Sequence, residues 1–116
     1  MDDIARIIKY NSLLSIYGEL LSARQKDILE QYFNFNLSIS EIAEANNVSR
    51  AAVEDAIQKG IKKLDEFEST LHINKEKEEI DALLEKANKS SDVEELKKIL
   101  EDVKKVINNG IWIING

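Results

Sequence analysis

One stretch in the middle of the chain constrains the fold more than any other, because it predicts two helices that meet at a tight turn. Ser38 and Glu41 have the spacing of a capping box, which satisfies free amide groups at a helix start. Asn46-Asn47 follows, and asparagine tolerates the positive φ that a tight turn requires. Ser49 is then placed to cap the next helix. The pattern predicts a helix-turn-helix, whose second helix is exposed and able to enter a DNA groove.

The second helix of this pair has an apolar side and a mixed polar side. Its apolar residues recur at the three- and four-residue spacing of a buried helix face, namely Val53, Ala56, Ile57, Ile61 and Leu64. The opposite side carries Glu54 and Asp55, where a reader of base edges usually has Arg, Lys, Asn or Gln. The helix-turn-helix geometry therefore suits DNA binding, whereas the acidic residues on its outward side do not.

We predict that a nucleic acid or protein partner would contact this outward side together with two cations earlier in the chain. The predicted contact residues are Arg24, Lys26, Ser49, Arg50, Ala51, Glu54, Asp55, Gln58, Lys59, Lys62 and Lys63.

Composition narrows the class of protein. The chain has 116 residues, no proline and four glycines, which favours long helices and an all-α fold. It has no cysteine and a single histidine, so no metal site or other cofactor is expected. No apolar run is long enough to cross a bilayer, and the acidic first residues are unlike a secretory signal, so we expect a cytoplasmic protein without membrane insertion.

Charge is unevenly distributed along the chain. The formal net charge is -6, which is unfavourable for a protein that binds phosphates. Residues 1–64 hold eight Lys/Arg against nine Asp/Glu, a net charge of -1, whereas residues 65–116 hold eight against thirteen, a net charge of -5. The helix-turn-helix half is therefore close to neutral, and the acidic excess lies in the second half.

We divide the chain into a helix-turn-helix domain, residues 1–68, and a C-terminal extension of two amphipathic helices, residues 69–116. Two further capping boxes are predicted, one at Ser22 to Gln25 ahead of the helix-turn-helix and one at Ser91 to Glu94, which starts the last helix. The apolar face of that helix is wider than a lone surface helix needs. The extension packs either on its own domain or on a second copy in a homodimer, with Val103, Ile107, Ile111, Trp112 and Ile113 as the predicted interface.

The chain resembles the YlxM family of small bacterial proteins. The resemblance is carried by LLSARQ at 20–25, EIAE at 41–44 and VSR at 48–50, with Tyr17 and Tyr32-Phe33 between them. It implies a helix-turn-helix fold similar to region 4 of bacterial sigma factors. It also implies a role in the signal recognition particle pathway, with protein or RNA components of that particle as partners.

The recognition helix departs from the family pattern. After VSR the family commonly continues QAVYDNI, whereas this chain has AAVEDAI at 51–57. Ala51 and Glu54 thus replace a glutamine and a tyrosine, which weakens base reading by this helix.

Two interpretations of function remain open. The first is a non-catalytic accessory or regulatory protein of the signal recognition particle pathway, and the second is a DNA-binding transcriptional regulator. An enzyme is not expected, because the sequence has no glycine-rich phosphate loop and no nucleophile with an evident base.

Overall fold

A computed structural model describes residues 3–109, and these residues are helical apart from short connections. The helices are α1 (Ile4–Tyr17), α2 (Ala23–Leu29), α3 (Ile39–Asn46), α4 (Arg50–Leu71), α5 (Ile73–Asn88) and α6 (Val93–Asn109). A 3-10 turn (Gly18–Leu20) follows α1, and a π-helical turn (Glu30–Asn34) follows α2. The prediction of an all-α fold is confirmed.

The chain separates into two compact units, the first ending at Glu68 and the second beginning at Ser69. Helix α4 belongs to the first unit except for its last turn. None of the helices between residues 3 and 109 has the length and apolarity that a bilayer crossing requires. The predicted interface residues Ile111, Trp112 and Ile113 lie outside the described residues.

Serine caps begin the helices of the motif as predicted. Ser38 accepts a hydrogen bond from the Glu41 amide, and the Glu41 carboxylate accepts one from the Ser38 amide, so the capping box is complete. The Ser49 hydroxyl accepts from the Ala52 amide at 3.0 Å and begins α4. Each cap satisfies amide groups that have no partner within the helix. These caps set where both helices of the motif begin.

Two predicted capping boxes differ from the structure. Ser22 accepts from the Gln25 amide, but the Gln25 side chain accepts a hydrogen bond from Lys63 and does not complete the box. The prediction at Ser91 is wrong, since α6 begins at Val93 and the Asp92 carboxylate accepts from the Glu94 amide at 3.2 Å. Aspartate caps a helix as well as serine does, and it stands one residue nearer the helix.

The core of the first unit is built around α1 and α4. Helix α1 buries Tyr10, Leu13, Leu14 and Tyr17, whereas Ile4 and Ile8 are 75% and 61% exposed. The helical spacing of the first isoleucines therefore does not mark the buried face of α1. The other buried apolar residues of this unit are Leu21, Ile28, Leu29, Phe33, Ile42, Ala43, Val53, Ile57 and Leu64.

Helices α2 and α4 approach closely at Gly60. A Cβ atom at this residue would lie 2.5 Å from Leu29 Cδ1, and Leu29 is fully buried. Any side chain larger than hydrogen would therefore push the two helices apart. The inner face of α4 thus needs a glycine between its buried aliphatic residues.

Two tyrosines tie α1 to the second half of α4. The Tyr10 hydroxyl donates to the Asp65 carboxylate at 3.0 Å, and the Tyr17 hydroxyl donates to Glu68 at 2.7 Å. Burial, and then the hydrogen bond and charge of Asp65, raise the pKa of Tyr10 above its ordinary value. These bonds hold the second half of α4 against α1.

In the second unit α5 and α6 form an antiparallel pair. Residues at the start of α5, such as Glu76 and Glu79, line one cleft with Val106 and Asn109 from the end of α6. Ile99 of α6 is buried, at 2% exposure.

We expect Gly60→Ala to lower the free energy of unfolding by about 1–2 kcal/mol, because overpacking against Leu29 outweighs the better helix propensity of alanine. Urea unfolding followed by circular dichroism would measure this. Gly18→Ala is the matched control, since a Cβ there would lie 3.4 Å from the flexible Lys26 side chain and 3.7 Å from Leu14 Cδ1, with no close clash. Adding Leu29→Val should recover part of the loss, and equal effects of the two glycine substitutions would contradict the prediction.

Candidate functional site

The turn between α3 and α4 has the geometry that the sequence predicts. Asn47 is left-handed, with φ 54° and ψ 47°, and the Val48 amide donates to the Ala43 carbonyl at 3.0 Å. The Asn46 side chain donates to the Ile42 carbonyl at 2.7 Å and to Gln31 at 3.0 Å. The turn is therefore fixed both within the motif and to the preceding π-helical turn. The helix-turn-helix is confirmed.

The outward side of α4 is solvent-exposed along the predicted contact residues. Ser49, Arg50, Ala51, Glu54, Asp55, Gln58, Lys59, Lys62 and Lys63 are all exposed. The opposite side of the helix buries Val53, Ile57 and Leu64. The glutamate and aspartate thus face solvent, where any partner of this helix would meet them.

The charges on this side are partly neutralised within the chain. Asp55 forms an ion pair with Lys59 at 3.0 Å, one helical turn away. Lys63 donates to the Gln25 side chain at 3.3 Å, which brings the first turn of α2 beside the second half of α4. Arg50 and Lys62 have no hydrogen-bond or ion-pair partner among the described residues. Among the cations of α4, these two are the most readily offered to a partner.

The two predicted cations of α2 differ in their surroundings. Arg24 is exposed, next in the chain to Gln25. Lys26 is half-buried and forms an ion pair with Glu19. The hydrogen bond to Glu19 raises the pKa of Lys26, and the same bond lowers the pKa of Glu19. Lys26 is therefore engaged within the chain, whereas Arg24 is open to solvent.

The contact residues form a long strip. Arg50 and Lys63 are thirteen residues apart on one helix, which corresponds to about 20 Å along its axis. A strip of this length suits an extended macromolecule, whereas a small molecule would reach only part of it.

A groove of about 510 Å³ lies at the Arg50 end of the strip, and the sequence did not predict it. Its apolar lining includes Ile7, Tyr32, Leu37 and Ile39, and Arg50 stands among the lining residues. These side chains come from separate elements of the first unit, so no local spacing pattern brings them together.

Sequence reasoning also missed the residues that hold α4 in place, Gly60 and the Tyr10–Asp65 and Tyr17–Glu68 pairs. A signal for Gly60 was available, because it interrupts the apolar stripe at a helical spacing. The tyrosine pairs link residues more than fifty positions apart and left no local signal.

The fold and the exposed strip define the class of this chain as a helix-turn-helix protein. Comparison of sequences then identifies the family. The chain belongs to the family described as "Putative helix-turn-helix protein, YlxM / p13 like", UPF0122, whose model matches residues 4–106. The resemblance to the YlxM family is thus confirmed.

Relatives of similar length occur in several bacteria. The chain is 40% identical over 96 residues to a UPF0122 protein of Fusobacterium nucleatum, which covers 83% of this chain and 93% of the relative. It is 40% identical over 107 residues to one of Clostridium novyi, covering 86% and 93%. It is 35% identical over 104 residues to one of Mycoplasma capricolum, covering 90% of each. The similarity therefore extends through both units.

We expect Asn47→Ala to lower the free energy of unfolding by about 1 kcal/mol, because a Cβ-bearing residue without a polar side chain is strained at positive φ. Asn47→Gly should leave stability within about 0.5 kcal/mol of the parent chain, since glycine adopts this conformation freely. Chemical unfolding would measure both, with the exposed Glu44→Ala of α3 as a control. Equal stability of the alanine and glycine variants at residue 47 would contradict the prediction.

The capping box should make stability depend on pH. Hydrogen bonds from Ser38 lower the pKa of the Glu41 carboxyl below its ordinary value of 4.5. Its contribution is therefore fully present above pH 4.5 and is lost as the pH falls through the lowered value. We expect the stability difference between the parent chain and Glu41→Ala to shrink over that acidic range. A difference that stays constant from neutral to acidic pH in thermal unfolding would refute this.

Proposed function

We propose that this chain is a non-catalytic accessory protein of the signal recognition particle pathway. In this proposal the exposed strip of α4, from Ser49 to Lys63, contacts an RNA or protein component of the particle. The pathway is implied by the YlxM resemblance, and the role would place the chain in the cytoplasm. The observation that carries the choice of partner is the exposure of Glu54 and Asp55 in the first turns of α4.

The mixed charge of the strip disfavours naked duplex DNA as its partner. Glu54 and Asp55 would approach the phosphates when α4 enters a major groove, and binding to DNA depends largely on neutralising phosphates with Lys and Arg. Lys59 faces Asp55 in an exposed ion pair, so the charge of this lysine is partly offset within the chain. A partner that presents separated phosphates or its own polar side chains can avoid both carboxylates.

The second candidate is a DNA-binding transcriptional regulator. The observation in its favour is the helix-turn-helix geometry itself, with Arg50 exposed at the start of α4, where side chains reach base edges. Lys62 and Lys63, about 20 Å further along, could then contact the phosphate backbone.

Binding titrations at several salt concentrations would separate the two candidates. We expect the particle's RNA, its GTPase subunit or its receptor to bind the full chain, and a duplex DNA pool to bind weakly even at low salt. Arg50→Glu combined with Lys62→Glu should weaken RNA binding at least tenfold and reduce the log–log salt slope by about 1.5, because two phosphate contacts are lost.

The matched control reverses two exposed lysines outside the strip, Lys86→Glu with Lys98→Glu, which changes net charge equally. It should bind as the parent chain does. Tight duplex binding with a steep salt slope that the strip variant abolishes would support the regulator instead. Retention of none of the three particle components would refute the accessory role.

A further inference from the structure

Helix α6 carries two rows of apolar side chains, and α5 covers only one of them. The covered row includes Ile99, which is buried, and Val106, which lines the clefts that α6 forms with α5. Ile99 is the one apolar side chain of residues 69–109 that is fully buried, and others such as Leu83 and Val106 are half-buried.

The second row, here called the outer row, comprises Val93, Leu96, Leu100, Val103 and Ile107. Its spacing of 3, 4, 3 and 4 residues is that of the seam of a coiled coil. Val93 is 61% exposed and Leu100 is 63% exposed, at the side of the apolar face away from Ile99, whereas Leu96, Val103 and Ile107 are half-buried. Apolar residues with this spacing can pack against a further helix.

The neighbouring helix extends the same apolar face. Leu84 of α5 is 45% exposed. Its neighbours Ala82 and Leu83 line a cleft together with Asp102 and Val106 of α6, and Leu84 does not line this cleft. The outer row is likewise absent from that cleft. Leu84 and the outer row therefore belong to one side of the helix pair, opposite the cleft.

We propose that a second copy of this chain covers this side, forming a four-helix bundle with twofold symmetry. In an isologous interface the same apolar face of each copy is buried against that of the other. A face made of five residues of α6, Leu84 and their polar neighbours stands at the small end of specific interfaces, which bury about 1,200–2,000 Å² in total. We expect this dimer to be weak, so that single chains and dimers coexist in solution.

Charge at the edges of the face sets the arrangement of the two copies. Lys97 and Lys104 border the outer row on α6, whereas Asp81 and Glu85 lie beyond Leu84 on α5. Packing α6 of one copy on α5 of the other brings these lysines beside these carboxylates, and packing α6 on α6 would bring lysine beside lysine.

Some of these edge residues already form ion pairs within their own helix, but these pairs are weak enough to be exchanged for pairs between the copies. Lys97 lies 3.8 Å from Glu94, Asp81 lies 3.0 Å from Lys77, and all four side chains are largely exposed. Exposed pairs of this kind contribute little to stability. Lys104 forms no ion pair within the part of the chain that the structure describes.

Sedimentation equilibrium of the full chain tests the dimer. The parent chain should rise from 13.2 kDa toward twice that mass as its concentration increases to about 200 μM. Leu100→Glu should stay at the single-chain mass throughout and keep its helicity and melting temperature at low concentration, because Leu100 is exposed in the single chain. Lys98→Glu, which places the same acid away from the outer row, should dimerise as the parent does.

A charge exchange tests the arrangement. Lys104→Glu and Asp81→Lys should each weaken self-association several-fold, and an equimolar mixture of the two should recover a heterodimer. A parent chain that remains at 13.2 kDa at about 200 μM, or a dimer that Leu100→Glu leaves intact, would overturn the proposal. Failure of the mixture to recover would overturn the packing of α6 on α5.

Discussion

The close approach of α4 to α2 at Gly60 is the constraint on which the first unit depends. Leu29 occupies the space that a side chain at residue 60 would fill, so the two helices can lie within direct contact of each other. The inner face of α4 is buried as a result, and its opposite face is turned to solvent. The tyrosine hydrogen bonds to Asp65 and Glu68 then hold the far end of the helix to α1. A partner surface is thereby presented on a rigid element.

The exposed strip of α4 has the helix-turn-helix geometry that suits a nucleic acid. Its mixed charges restrict which nucleic acid can bind there. Arg50 and Lys62 are available cations about 18 Å apart along the helix, and carboxylates stand between them. Evenly spaced phosphates, as in duplex DNA, would be attracted by these cations and repelled by the carboxylates between them. A folded RNA or a protein can place its groups to meet the cations alone, and the proposed accessory role rests on this argument.

The second unit differs from the first, because its two helices leave large apolar side chains exposed after they have packed against each other. Ile99 is buried, whereas Leu100, the next residue, is mostly exposed. Adjacent residues on a helix point about 100° apart, so the packing that buries Ile99 leaves Leu100 uncovered. The excess face on α6 is the physical basis for a second copy as its partner.

Local signals in the sequence determined the parts of the structure that short-range chemistry controls. The Ser38 capping box, the left-handed Asn47 and the apolar stripe of α4 were all readable, because each depends on residues within a turn or two of one another. The start of α6 was misplaced by such a signal, since Ser91 and Asp92 are comparable caps and only the structure shows Asp92 in use.

Only the tertiary structure decided which faces are covered and which residues meet. The isoleucines at residues 4 and 8 have helical spacing yet face solvent, because burial depends on what lies beside a helix and not on its own pattern. The groove beside Arg50 and the pairing of Tyr10 with Asp65 join distant parts of the chain. Contacts of this kind arise from packing, in which many weak apolar contacts select one arrangement of the helices, and no local spacing encodes them.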